Sequence, residues 1–313
     1  MTFRRAWLAI LLFLSGCVGS AAPPTGTPSA VTPSATPSAT PTGSPSPTPT
    51  PAAEFLIAAG DIASCDEKAD SSTAALVAEL DGTVAALGDL AYPAGSDATY
   101  AECYDPVWGE FLDRTRPAIG NHDMQDDDGA AYYRYFGARA GAAGEGWYSY
   151  DLAAWHVIVL NSNCELVGCS PGTEQHAWLL ADLAATDTHC TLAYWHHPRF
   201  SSGPHGDDDD VAPLWEALAE ADADVVLVGH DHLYERFAPQ AGNGTADADG
   251  IRQFTVGTGG KGLYDREEVA PNSEVLIDDA FGVLELRLAP DSYDWRFLTI
   301  DDVEADAGSG SCH

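Results

Sequence analysis

Five apolar runs in this chain end in the same way. Each breaks at a glycine or a histidine and continues at once into oxygen- or nitrogen-bearing side chains. Phe55–Ala59 leads to Gly60-Asp61, Thr83–Leu87 to Gly88-Asp89, and Pro117–Ile119 to Gly120-Asn121-His122-Asp123. Thr191–Trp195 leads to His196-His197, and Asp224–Val228 to Gly229-His230-Asp231-His232. Short apolar runs bounded by turn formers read as buried strands rather than helices. Polar groups delivered repeatedly at strand ends imply a sheet whose carboxyl edge carries a site, because that edge is where α/β sheets meet their ligands. Polar loop residues scattered by chance do not repeat in this register.

The rest of the chain fits around those runs. Further strands are expected at His156–Leu160, Arg252–Val256 and Phe281–Leu288. Helical spacing places Leu76, Val77 and Leu80 on one face of Ala69–Leu80, and Trp178, Leu179 and Leu183 on one face of Thr173–Ala185. Val211–Ala221 does the same with Leu214, Leu218 and Ala221. Strand–helix alternation that passes into successive strands predicts a layered α/β fold. It occupies one domain from Glu54 to about Ile300, long enough for a substantial core. Residues 301–313 are expected to be a C-terminal tail.

The chain ahead of this domain differs in composition. Arg4 and Arg5 precede the apolar run Ala6–Leu14, which is too short to span a bilayer and reads as a secretory signal. Leu14-Ser15-Gly16-Cys17 resembles a bacterial lipobox, so residues 1–17 are expected to be a lipoprotein signal with lipid on Cys17. Lipid there anchors the chain to the outer face of the cell membrane without spanning it. Residues 18–53, almost wholly Pro, Thr, Ser, Ala and Gly, form an extended, disordered stalk in this reading.

Charge and cysteine content narrow the classes further. A net charge of −34 excludes binding through nucleic-acid phosphates. The acidic runs Asp126–Asp128 and Asp207–Asp210 read as solvated surface. Apart from Cys17, the cysteines are Cys65, Cys103, Cys164, Cys169, Cys190 and Cys312. An even number in an exported chain predicts three disulfides, with about fifteen pairings open. Cys164 with Cys169 is the most economical local pair, and Cys312 is placed to pin the C-terminal end. No Cys-x-x-Cys spacing supports a zinc site.

In this order the strand-end motifs resemble those of the calcineurin-like metallophosphoesterases. Tyr92 in Gly88-Asp89-Leu90-Ala91-Tyr92 and the run His230-Asp231-His232-Leu233-Tyr234-Glu235-Arg236 are similar to the purple acid phosphatase branch. Gln175-His176-Ala177-Trp178 and Val256-Gly257-Thr258-Gly259-Gly260-Lys261 look like that branch as well. The resemblance implies an αββα sandwich of two mixed sheets flanked by helices. It also implies two metal ions and hydrolysis of phosphate monoesters by a metal-activated hydroxide. Two cations ~3.5–4 Å apart need one ligand that donates to both, and a carboxylate has two oxygens. By the same resemblance Asp89 is that bridge. One ion takes Asp61, Asp89, Tyr92 and His232, and the other Asp89, Asn121, His196 and His230. Residues two apart on an extended segment point the same way, so His230 and His232 reach one cluster while Asp231 faces elsewhere.

The first motif separates branches within the family. Many members carry a histidine ligand two residues after the first aspartate, and this chain has Asp61-Ile62-Ala63 there. Tyr92 supplies a phenolate in its place, and hard oxygen donors favour Fe(III), partnered by Zn, Mn or Fe(II). Ala63 departs from the glycine usual at its position. The resemblance puts His122 and His205 on the substrate side, where imidazole binds phosphate or protonates the leaving oxygen. His197 is expected to support the ligands from behind. His156, His176, His189 and His313 receive no role.

No serine-nucleophile elbow, P-loop or dinucleotide fingerprint is present. The implied partner is a small phosphate ester, with membrane contact through Cys17 only, no nucleic acid, and a monomer favoured. The competing readings are a phosphodiesterase acting on nucleotides or phospholipids, and a non-catalytic surface lipoprotein that keeps the metals for structure or phosphate capture.

Overall fold

The computed structural model describes residues 52–313. Cys17, the leader and nearly all of the stalk lie outside the described residues. Within them the strands are β1 (Glu54–Ala59), β2 (Thr83–Leu87), β3 (Thr115–Ala118), β4 (Tyr148–Leu152), β5 (Trp155–Val159), β6 (Cys190–Tyr194) and β7 (Val225–Val228). They continue with β8 (Tyr234–Phe237), β9 (Arg252–Val256), β10 (Ser273–Ile277), β11 (Gly282–Ala289), β12 (Ser292–Thr299) and β13 (Glu304–Ser311). One sheet has the order β13-β12-β11-β1-β2-β3 and the other β10-β8-β9-β7-β6-β5-β4. Both are mixed. β1, β2 and β3 run parallel, as do β5, β6, β7 and β9, and antiparallel strands complete each sheet.

Period-two alternation decides which side chains fill which layer. Leu56, Ala58, Ala85 and Leu87 meet Val157, Leu192, Tyr194 and Leu227 between the sheets. Ile57, Ala59, Val84 and Ala86 face the other way and pack on the helices Ala69–Ala78 and Ala130–Phe136. Ile158, Ala193, Val226 and Val228 pack likewise on Leu214 and Leu218 of the helix Ala212–Glu220 and on Val211 at its start. Helices therefore cover both outer faces, which is the αββα sandwich expected.

The expectation of a tail from residue 301 is corrected. β13 pairs with β12 along its length as the outermost strand of its sheet. Its sequence, Glu-Ala-Asp-Ala-Gly-Ser-Gly-Ser, lacks the apolar alternation of a strand. The glycines explain why it still fits: Gly308 lies opposite Trp295 and Gly310 opposite Tyr293. A Cβ at Gly308 would sit 2.3 Å from the indole, so the ring occupies the space that a side chain would take. Cys312, one residue beyond β13, is bonded to Cys190 at the start of β6. The other bridges are Cys65–Cys103 and Cys164–Cys169. Among the described residues no helix is long and apolar enough to cross a membrane.

His156, which received no role from sequence, is a structural residue. It is buried on β5, with Nε2 2.9 Å from Asp182 and Nδ1 3.0 Å from Asp151. The bond to Asp182 raises its pKa, burial opposes the charge, and Asp151 raises it further. A histidine whose folded-state pKa lies above the unfolded value of ~6.5 stabilises fully below that value, and the contribution fades as pH rises through the folded pKa. Urea unfolding at stepped pH should show this loss on the alkaline side in wild type, and the step should vanish in His156→Gln.

Candidate metal centre

The strand ends do more than present side chains. Past β1 and β2 the two segments keep running side by side. The Asp61 N–H donates to the Gly88 carbonyl (3.0 Å), Ile62 to Asp89 (3.0 Å) and Ala63 to Leu90 (3.1 Å). Asp61 (φ 59°), Asp89 (φ 54°) and His230 (φ 70°) are all left-handed, which costs roughly 1–2 kcal/mol each for a residue with a Cβ. Such backbone is kept where the surroundings over-determine it, and here it turns three side chains off the sheet toward one point. Asp61, Asp89, Tyr92 and Asn121 come from the six-stranded sheet, and His196, His230 and His232 from the seven-stranded one. The cluster thus sits where the carboxyl edges of both sheets meet.

The distances join these residues into one cluster. The Tyr92 hydroxyl donates to Asp61 Oδ1 (2.9 Å) and Asp89 Oδ2 (3.0 Å) and lies 3.1 Å from His232 Nε2. His232 Nε2 is 3.2 Å from Asp61 Oδ1. On the other side of Asp89, His196 Nε2 is 3.3 Å from Asp89 Oδ2, 3.2 Å from Asn121 Oδ1 and 3.2 Å from His230 Nδ1. Asp89 therefore faces both halves, as a bridge must. Ala63 is buried against the neighbouring segment and pairs with Ala91, so nothing at that position competes with Tyr92. A Cβ at Gly120 would lie 2.1 Å from Asp89 Oδ1, which explains why glycine precedes Asn121.

The donor set fits cations. Asp61, Asp89 and Tyr92 are buried together, and no Lys or Arg among the described residues pairs with either carboxylate. Lys261 lies over the Tyr92 ring at 5.4 Å but pairs with Glu67. His196 donates from Nδ1 to the Leu87 carbonyl (2.8 Å) and His232 from Nδ1 to the Gly262 carbonyl (2.6 Å). Fixing the outer nitrogen in this way leaves each Nε2 with a bare lone pair aimed at the cluster, the arrangement typical of metal-ligating histidine. Without a cation the charges offset one another by proton sharing. Burial opposes a charge on His196, yet Asp89 carries its pKa up to about 9. Burial and His196 hold His230 far below the ordinary range. Burial next to Asp61 and Asp89 pushes the Tyr92 phenol well above its own.

His122 and His205, expected on the substrate side, are placed at this edge by different means. His122 contacts the Pro93 carbonyl through Nδ1 (2.6 Å), packs its ring at a tilt 4.5 Å from that of Tyr92, and brings Nε2 to 3.9 Å from Asp89. His205 packs its ring 4.1 Å from that of His230, and its Nδ1 lies 2.8 Å from Asp231 Oδ1. Asp231 turns away from the ligands, although the left-handed backbone at His230 makes this segment a turn and not the extended strand that the alternation presumed, and it holds His205 from there. Ser201 Oγ and the His205 N–H also donate to it.

Two supporting groups were missed from sequence. Asp123 is buried and accepts from the Leu90 N–H (3.0 Å), the Gly120 N–H (3.0 Å) and the Tyr100 hydroxyl (2.7 Å), tying the Asp89 and Asn121 loops together. It was visible only as the last of three adjacent polar residues. Ser162 follows β5 in Asn161-Ser162-Asn163, a sixth strand end with polar residues whose signal was present and unread. Its Oγ accepts from the His196 and His197 N–H groups (3.2 and 3.0 Å), so its own proton goes to His197 Nδ1 (2.8 Å). Burial and the neighbouring His196 push His197 down to about 3, so it stands as a neutral imidazole behind His196 and His230.

Comparison with known proteins agrees with this geometry. A family model described as calcineurin-like phosphoesterase matches residues 49–234. Purple acid phosphatase 21 of Arabidopsis thaliana is 30% identical over 220 residues, covering 61% of this chain and 49% of that protein. The chain spans about half the length of the curated relatives it matches. Among solved structures, a purple acid phosphatase from yellow lupin seeds superposes with a TM-score of 0.69 at 18% identity, covering 83% of this chain and 54% of that one. GAP50 of Plasmodium gives 0.67 at 15% identity, covering 84% and 90%. At these identities the structural likenesses show a shared fold.

Proposed function

This chain belongs to the calcineurin-like phosphoesterases, and from that premise we propose that it hydrolyses phosphate monoesters with two bound cations, in the manner of a purple acid phosphatase. The observation that carries the reading is the unbroken ligand set around Asp89. Fold alone does not carry it, since GAP50, named as the anchor of a membrane complex, has the same architecture. Asp61, Asp89, Tyr92 and His232 would hold one ion, and Asp89, Asn121, His196 and His230 the other. When bound, such a pair acidifies a water and offsets charge on phosphoryl oxygens. The oxygen-rich half, with its phenol, suits Fe(III), and the nitrogen-richer half suits Zn, Mn or Fe(II).

The chain's own residues do the rest. With Nδ1 on the Pro93 carbonyl, His122 turns Nε2 toward the bridge and can give a proton to the departing ester oxygen. His205, its ring fixed by Asp231, presents its free nitrogen to the phosphoryl oxygens. Export and lipid anchoring through Cys17 complete the proposal. Their support is the leader motif and three disulfides, which suit an oxidising compartment.

Protein loaded with iron plus zinc or manganese should turn over an aryl phosphate and, when oxidised, absorb visible light through phenolate-to-iron charge transfer. Tyr92→Phe should abolish that band while iron remains bound. A colourless iron-loaded wild type would reduce Tyr92 to a packing residue, and absence of turnover under every metal pair would remove the phosphatase reading.

A further inference from the structure

A cavity of about 420 Å³ opens beside the metal centre, sharing Asn121 and His197 with it. Its walls differ from a phosphate site. Leu166, 61% exposed, and Met124 give it an apolar side. Glu165, Asp208 and Asp210 give it an acidic rim, and no Lys or Arg lines it. The nearby Arg199 is held by Asp209 at 3.0 Å and lies over the Phe200 ring. The Cys164–Cys169 bridge closes the short segment that carries Glu165 and Leu166, so both are presented from a braced loop.

We infer that this cavity receives the alcohol part of the ester and selects monoesters whose leaving group is cationic over neutral and neutral over anionic. The inference rests on the phosphatase reading above and specifies its substrate class. In the reaction water adds to phosphorus, the P–O ester bond breaks, and the departing oxygen takes a proton to leave as the alcohol. Cations at the ligand cluster hold the phosphoryl end whatever the alcohol is. The rim acts on the atoms beyond the ester oxygen, where unpaired carboxylates attract a cation and repel a second anionic group. Apolar contact with Leu166 and Met124 suits the carbon skeleton of such an alcohol and offers nothing to a further phosphate or carboxylate.

The test uses three aryl phosphates bearing para-trimethylammonium, methyl or carboxylate groups, with kcat/KM measured on full-length metal-loaded protein. Intrinsic reactivities cancel when wild type is compared with Glu165→Gln/Asp208→Asn/Asp210→Asn. The cationic-to-anionic ratio should fall about tenfold in the variant at low salt. In wild type alone the same ratio should shrink severalfold between about 20 mM and 0.5 M salt, as screening requires. The salt series keeps the test intact if the variant folds poorly. Turnover of the methyl compound with a ratio indifferent to both neutralisation and salt would overturn the inference and leave the phosphatase reading in place. No turnover of any of the three would remove that reading and the inference with it.

Discussion

Replacing Asp89 by Asn should lower kcat on an aryl phosphate about a thousandfold or more, ~4 kcal/mol at the barrier, with the fold intact. Asp89 uses both oxygens. Oδ1 accepts the His122 N–H at 2.7 Å, and Oδ2 accepts the Tyr92 hydroxyl while lying 3.3 Å from His196 Nε2. Asparagine keeps one oxygen and replaces the other with a donor, and that donor would face either the His122 N–H or the Tyr92 hydroxyl. Either way the amide is neutral, and both halves of the cluster lose the anionic ligand they share. Metal analysis should show at least one ion lost per chain, while near-ultraviolet circular dichroism stays as in wild type. Full activity with two ions bound would end the assignment of Asp89 as the bridge.

The second large effect is on stability. Asp123→Ala should destabilise the protein by about 3–9 kcal/mol, because three buried donors lose their acceptor and each orphan costs ~1–3 kcal/mol. Those donors are the N–H groups of Leu90 and Gly120 and the hydroxyl of Tyr100. Burial and the nearby Asp89 push the Asp123 carboxyl up to about 6, above its unfolded value, so the loss in the alanine variant is expected to be largest at acid pH and to shrink as pH rises through about 6. Asp123→Asn retains an acceptor oxygen and should lose much less. Both variants should bind metal about 10–100-fold more weakly, since they release the loops that hold Asp89 and Asn121. Urea midpoints and metal titration of the folded proteins measure the two effects. An alanine variant as stable as wild type would show that water or a neighbour replaces the carboxylate.

Much of this was legible before any coordinates. The strands that build the site are buried on both faces, so they read as continuous apolar runs, and their polar ends stand out against them. Tyr92 was legible through the resemblance of Gly88-Asp89-Leu90-Ala91-Tyr92 to the purple acid phosphatase branch, with which the missing histidine in Asp61-Ile62-Ala63 agrees. Other features were not legible for physical reasons. β13 has no hydrophobic period, and its stability comes from aromatic rings on β12 lying over its glycines. The left-handed backbone at Asp61, Asp89 and His230 leaves only a weak trace in residue type, since Asp and His are enriched in that conformation yet occur mostly outside it. Asp123 and Asp231 look like any loop aspartate until the fold shows that each is sealed from solvent and bonded to a different loop. The alternation argument presumed an extended segment at 230–232, where the chain makes a turn, and only the folded chain brings His205 to Asp231.

The bridge between Cys190 and Cys312 has a consequence that reaches the far end of the molecule. It joins β6 of one sheet to the residue after β13 of the other. Cys190 opens β6 and His196 lies six residues on, about 20 Å along the strand direction. The ligand cluster, drawn from both sheets, closes the sandwich at that opposite edge. The two layers are thus riveted at two ends, covalently at one and by shared coordination at the other. Rivets this far apart contribute independently to stability. Cation occupancy then counts toward folding as well as chemistry, and a chain emptied of metal and reduced would be left with apolar contact and a few polar links, such as Tyr234 and Arg236 to Asp306, to hold its sheets together.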